Sequence, residues 1–418
     1  MTAGASSSSD PPSGDLIPPP TGMQGSGRTN SLNFLRIVLA VAVILSHAVE
    51  LGYFGTWEQV NRTTLGTVAV YGFFGISGYL IAGSALRNGP FRYLWQRFLR
   101  IFPAFWVCLI VTAFGIGLIG WLSTPGHHDH LSSYFDARTS PFGYIWRNFL
   151  LKIHQTSIAG TPTGSTQPLE WNGSIWTLFY EFLCYLILMG LAAVGLLRRR
   201  FAVLMITLAL MVAMTVITFD GSLNGSFNLI HHFILMNLIR FGTIFLTGAL
   251  LYLYRDRVPD SGWIALGCSA IFIAELWLPT NNQYPAFALT ASGLMSPLIA
   301  YPMIWLGYHL PLQRVGAKND YSYGLYVYAY PVQQLLAIWG VIRWGFFAYF
   351  GLALAITFPL AIASWWAIEK HALKLKRFEL SSIVGRHAPM TAPLPAVIRV
   401  DASADDPVVD DPASGSPL

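Results

Sequence analysis

Unbroken apolar runs, each close to the roughly 20 residues a helix needs to cross a bilayer, constrain this chain more than any other feature. Ten such runs are read, near residues 32–52, 65–86, 101–122, 174–197, 201–218, 233–254, 262–279, 285–308, 322–341 and 345–368. Backbone polar groups in hydrocarbon must be satisfied within their own segment, so these runs predict α-helices. A β-barrel would show alternating segments of about ten residues instead. Composition excludes a soluble fold: 54% of the 418 residues are hydrophobic and only 11% are charged, against about a quarter charged in soluble domains. The expected fold class is an all-α membrane protein, a bundle of ten transmembrane helices with disordered cytoplasmic tails.

The flanks of this bundle differ in composition. Residues 1–30 are rich in Ser, Gly, Pro and Thr, and residues 378–418 in Pro, Ala and Asp, which predicts disordered tails around a transmembrane domain at 31–377. The first apolar run lacks the basic start and small-residue cleavage site of a secretory signal. The longest loop, about 123–173, leaves no room for a soluble domain but can carry short helices.

Basic residues concentrate in loops of one parity: Arg87, Arg92, Arg97 and Arg100, then Arg198, Arg199 and Arg200, then Arg255 and Arg257, then Arg314 and Lys318. Lys370, Lys374, Lys376 and Arg377 follow the last span, whereas Arg62, Arg138, Arg147, Lys152 and Arg343 are spread thinly over the opposite loops. The positive-inside rule therefore puts both termini in the cytoplasm. Topology accounts for the net charge of +5 without nucleic acid. Cys108, Cys184 and Cys268 are scattered through apolar runs and form neither a disulfide framework nor a metal motif. His127, His128, Asp129 and His130 lie beside Pro125 and Gly126, where a solvated loop is favoured over a metal site, so no metal is expected. Asn-x-Ser/Thr sequons stand at Asn61 and Asn172 on the predicted outer side.

Ionisable groups within spans are costly and are functional candidates by default. Arg36 and His47 lie eleven residues apart in the first run, which returns to nearly the same helix face about 16 Å along the axis. His47 suits a general base for a hydroxyl proton. Spacing alone equally fits Arg36 snorkelling at one interface and His47 capping the other. Arg97 and Arg100, at i and i+3 in RFLRIFP, share a face. Forked guanidiniums there suit the phosphates of a nucleotide-bearing donor, although positive-inside anchoring explains them too. Glu181 enters an apolar run without a nearby cation in sequence, so its partner comes from another span, with Arg240 and Arg36 as candidates. An ion pair that only fixes the bundle is the alternative.

Six segments, in order, resemble those of the acyltransferase-3 family of bacterial membrane O-acyltransferases. They are NFLRIVLAVAVILSHA with Arg36 and His47, FFGISGYLIAGS at 73–84, RFLRIFPAFW with Arg97 and Arg100, SIWTLFYEF with Glu181, IRFGTIFLTGALL with Arg240, and YSYGLYVYAYP at 321–331. Thr177 replaces the family's serine in the fourth, Ala329 replaces its histidine in the last, and Glu369-Lys370-His371 lacks the proline of its Glu-x-Pro. The resemblance implies transfer of an acyl group, most often acetyl, from acyl-CoA to a hydroxyl of a cell-envelope sugar, polysaccharide or glycolipid, in the inner (cytoplasmic) membrane. It implies catalytic roles for His47, Arg36 and Glu181, with Glu181 orienting His47 or another polar group. Arg97, Arg100 and Arg240 would bind the donor, and acyl-CoA is the only cosubstrate expected. Expected partners are the bilayer, the sugar-containing acceptor and other proteins of envelope synthesis. A transporter or flippase of an envelope glycolipid precursor would also have polar groups lining a path, but no internal repeat is evident. A membrane sensor or scaffold leaves the intramembrane charges unexplained.

Overall fold

The computed structural model describes residues 30–60, 63–126, 130–219, 229–277 and 293–377. The tails foreseen as disordered lie outside these, Asn30 excepted, as do Asn61 and His127 to Asp129. The described chain is mostly helical: α1 (Leu32–Leu51), α2 (Leu65–Arg87), α3 (Pro90–Ser123), α4 (Ser132–Phe135), α5 (Pro141–Asn148), α6 (Trp176–Ala193), α7 (Arg200–Phe219), α8 (Leu229–Leu253), α9 (Gly262–Leu276), α10 (Ser296–His309), α11 (Ser322–Ile338) and α12 (Phe346–Lys374). A π-turn interrupts α3 at Thr112–Ile116, and another interrupts α12 at Trp365–Glu369. The only described strands, β1 (Gln59–Val60) and β2 (Thr63–Thr64), form a small antiparallel pair between α1 and α2.

A helix overlaps each of the ten apolar runs, but six are long and apolar enough to cross a membrane: α1, α2, α3, α6, α8 from Phe233 and α12. The apolar stretches of α7 and α9 are shorter, and residues 285–292 of the eighth run lie outside the described chain. The outer faces of α7 and α9 expose Phe201, Val212, Trp263, Leu266 and Ile271. Exposed apolar surface of this extent suits lipid and not water, and the chain is a membrane protein.

α11 falls short for a different reason. It is 17 residues long, carries Ser322, Gln333, Gln334 and four tyrosines, and is buried on every side from Ser322 to Ala337. A helix buried all round is a core element. Its glutamine amide nitrogens find partners inside the protein: Gln333 donates to the Ile44 carbonyl at 2.8 Å, and Gln334 donates to the carbonyls of Gln167 and Glu170 at 2.9 and 2.8 Å. α1 is thereby held between α2 and α11.

α2 and α8 pack backbone against backbone. A Cβ on Gly78 would lie 1.9 Å from the Phe245 carbonyl oxygen, and one on Gly248 2.0 Å from that of Gly75. Small residues permit such approaches between membrane helices. Because the obstacle is backbone, Gly78→Ala is expected to force the helices apart and cost about 1–3 kcal/mol. A lowered unfolding temperature in detergent checks this.

The long loop does carry short helices, α4 and α5, and it also folds back into the bundle. Trp171 is fully buried, and Asn172 donates to the Val327 carbonyl at 2.9 Å. The amide of the Asn172 sequon is therefore committed inside the protein.

Candidate active site

α1 carries Arg36 and His47 on the face turned to α2 and α11, as their spacing requires, and each lines its own cavity. Arg36, Phe73, Phe74, Glu181, Ser322 and Tyr323 surround one, with about 420 Å³ of non-atom space. His47, Glu50, Ser46, Tyr71, Trp176 and Arg240 surround the other, with about 680 Å³. The two cavities share Val70, Thr177 and Tyr326 in their walls. Tyr326 donates its hydroxyl to the Ser174 carbonyl at 2.8 Å and pairs with the Thr177 hydroxyl. That pair of hydroxyls stands where one cavity meets the other.

At the Arg36 end the governing residue is Asp320, which the sequence analysis did not single out. Its Oδ2 accepts from Arg36 at 2.6 Å and from Arg100 at 2.5 Å, and its Oδ1 accepts from Ser322 Oγ at 2.5 Å. Glu369 lies 3.7 Å from the other side of Arg100. Burial alone would raise the Asp320 carboxyl. The Arg36 and Arg100 guanidiniums, with the Ser322 hydrogen bonds, hold it well below the usual carboxylate range instead. Asp320 follows Lys318 in a basic loop, and this reversal of sign was its one visible signal. Arg97, one turn before Arg100, sits 5.9 Å from the Tyr185 ring. Burial, and then the like charges of Arg97 and Arg100, push nearby Lys376 down to about 8 against the pull of Asp320.

The structure brings Glu181 to Arg36 and not to His47. Glu181 Oε1 accepts from Ser77 Oγ at 3.2 Å and from the Tyr185 hydroxyl. Its partners are thus neutral hydroxyls, where an arginine had been expected. Arg240 lies across the His47 cavity, its guanidinium 4.9 Å from the Tyr71 ring. Ala329, in place of the family's histidine, packs with Ala40 and Ile44 in an apolar cluster and carries no polar role.

Around His47 stand three carboxylates that the sequence analysis passed over. Glu50 Oε2 lies 3.7 Å from His47 Nδ1. Glu58 accepts from Ser46 Oγ at 3.1 Å and from the Leu65 amide at 2.8 Å, and Glu170 accepts from the Tyr330 hydroxyl at 3.3 Å. Burial raises the carboxyls of both Glu58 and Glu170. The Tyr330 ring meets the imidazole edge-on at 4.9 Å. Among the described residues, no group of three or more His, Cys, Asp or Glu is placed to hold a metal ion.

A helical membrane bundle with paired cavities, a histidine in one and an arginine–carboxylate cluster in the other, fits an enzyme better than a scaffold. The chain belongs to the acyltransferase-3 family, whose model, described as an acyltransferase domain, matches residues 29–366. It is an acyltransferase. It is 28% identical over 357 residues to the protein named O-acetyl transferase of Shigella phage Sf6, covering 85% of this chain and 99% of that one. It is also 28% identical over 399 residues to Nodulation protein 10 of Rhizobium leguminosarum bv. viciae, covering 88% of this chain and 98% of the relative. No solved structure matches significantly.

Proposed function

We propose that this chain is an O-acyltransferase of the inner membrane that moves an acyl group, acetyl above all, from acyl-CoA to a hydroxyl of an envelope sugar, polysaccharide or glycolipid. The observation that carries the proposal is the contact between the two cavities at Thr177 and Tyr326. A donor held at the Arg36 end and an acceptor held at the His47 end would meet there. The relative named O-acetyl transferase supports acetyl and oxygen as the group and the atom. In this reading the chain crosses the bilayer ten times with both termini cytoplasmic, and residues 31–377 form the transferase domain. The Arg36 end then faces the cytoplasm, where acyl-CoA is made.

His47 takes the proton of the acceptor hydroxyl as its oxygen attacks the thioester carbonyl. The C–S bond breaks, and the CoA sulfur leaves and recovers the proton from the imidazolium. Arg36 keeps a buried Nε without a hydrogen-bond partner even while its NH1 binds Asp320. It therefore retains a donor for a phosphate or the developing oxyanion. Arg97 and Lys376 attract the anionic end of the donor, while Arg100, committed to Asp320 and Glu369, holds the mouth in shape. Arg240 balances charge across the acceptor cavity, and Glu181 orders Ser77 and Tyr185 beside Arg36.

Purified protein with labelled acetyl-CoA and envelope extract tests this: CoA should be released and one acetyl increment should appear on one envelope species. Label moved with CoA left intact would mark a transporter and sink the proposal. A pH dependence follows. Lys376 is charged below about pH 8 and neutral above it, so the KM for acyl-CoA should rise as pH passes from 7 to 9. Lys376→Met should show a higher KM at pH 7 and a much flatter profile, which initial rates across that range would reveal.

A further inference from the structure

An imidazole acts as a base through one nitrogen, and the hydrogen bond made by the other selects which. With Glu181 in the other cavity, the group that orients His47 must be found at its own end. Two of the three carboxylates there are taken: Glu58 by Ser46 and the Leu65 amide, Glu170 by the Tyr330 hydroxyl. Glu50, three residues after His47 on the same helix face, directs Oε2 at His47 Nδ1 from 3.7 Å. That nitrogen is buried and has no hydrogen-bond partner. A small turn of the carboxylate closes the gap, and catalytic hydrogen bonds are often long before substrate binds.

Glu50 is itself held in place. Its Oε1 accepts from Gln167 Nε2 at 3.1 Å, and its carbonyl accepts from the Thr166 hydroxyl at 2.7 Å. The Thr166 amide donates to the Leu51 carbonyl at 3.3 Å. The long loop thus clamps the last turn of α1, and Arg240 is the cation lining the same cavity.

We propose that Glu50 is the positioning residue of the acyl-transfer base: its carboxylate takes the Nδ1 proton of His47 and leaves Nε2 as the nitrogen that accepts the proton of the acceptor hydroxyl. This rests on the reading of His47 as that base. Glu50 fixes the tautomer and acts through the imidazole, in the manner of carboxylates that orient histidines elsewhere.

The test uses the full chain in lipid nanodiscs with nitrogen-labelled histidine, and His47 is assigned by its loss in His47→Gln. The imidazole shifts should report Nδ1–H in the wild type and chiefly Nε2–H, the form free histidine prefers, in Glu50→Leu. With acetyl-CoA and envelope extract, kcat for Glu50→Leu should fall about 10–100-fold, with KM for acetyl-CoA unchanged because Glu50 lies in the cavity away from the donor. An unmoved tautomer overturns the proposal, and so does a moved tautomer with wild-type kcat. Should Glu50→Leu fail to fold, Gln167→Leu frees the carboxylate without removing it. A mixed tautomer population and an intermediate kcat are then expected, and wild-type values for both would overturn the proposal. If His47→Ala itself keeps full activity, the parent reading fails, while the tautomer shifts still decide whether Glu50 holds the ring.

Discussion

Asp320→Asn is expected to destabilise the protein by roughly 3–5 kcal/mol, the cost of breaking a buried ion pair by removing one partner. Asp320 is nearly buried and joins Arg36 of α1 to Arg100 of α3 through one oxygen. Its neutralisation would leave two guanidiniums in low dielectric with only Glu369, at 3.7 Å from Arg100, to offset them. Unfolding in mixed micelles titrated with SDS measures the loss. The pH range follows from the direction of the Asp320 shift. A carboxyl depressed in the folded state contributes stability above its unfolded value, about pH 4, and loses it only as pH falls further. The contribution of the Asp320 charge itself should therefore be intact at pH 5 and above, and be lost only below about pH 4. The double variant Asp320→Asn with Arg100→Met should cost less than the sum of the two single changes, since the second removes one stranded cation. A loss below about 1 kcal/mol in Asp320→Asn, the scale of exposed pairs, would show that the cluster is solvated.

His47→Ala should separate activity from stability in the opposite sense. Loss of a general base costs about a hundredfold to ten-thousandfold in rate, and acyl transfer from labelled acetyl-CoA should fall by that much. Folding should barely respond. The Glu50 contact that His47 would lose is long, at 3.7 Å, and Glu50 keeps Gln167 after the imidazole is gone. The unfolding midpoint of His47→Ala should match the wild type, while that of Asp320→Asn falls. Full transfer activity in a correctly folded His47→Ala protein would remove His47 from the reaction.

The membrane class and the family were legible because both are written in contiguous residues. Apolar runs mark helices wherever each helix meets lipid, as α1, α3 and α12 do. α11 was read as an apolar run at 322–341, but nothing in that run marked it as a helix buried on every side among the others. The site was half legible. Eleven-residue spacing put Arg36 and His47 on one face, and the structure keeps them there. Asp320 escaped because it lies 284 residues from Arg36, a separation across which no periodicity carries information. Glu181 was assigned to arginine or histidine partners because its true partners, Ser77 and Tyr185, carry no charge and leave no mark on a charge count. Glu50 stood in view at i+3 from His47. It was passed over because its meaning depends on Gln167 and Thr166, which arrive from a loop more than 110 residues away.

The hydroxyl pair of Thr177 and Tyr326 also bears on bioenergetics. A polar passage through a membrane that stores a proton gradient would leak protons and dissipate the voltage that the cell maintains. In the proposed reading Thr177 and Tyr326 stand in the wall shared by the two cavities, and only an acyl group in transit would have to pass them. On that reading the enzyme would serve both faces of the membrane without short-circuiting it.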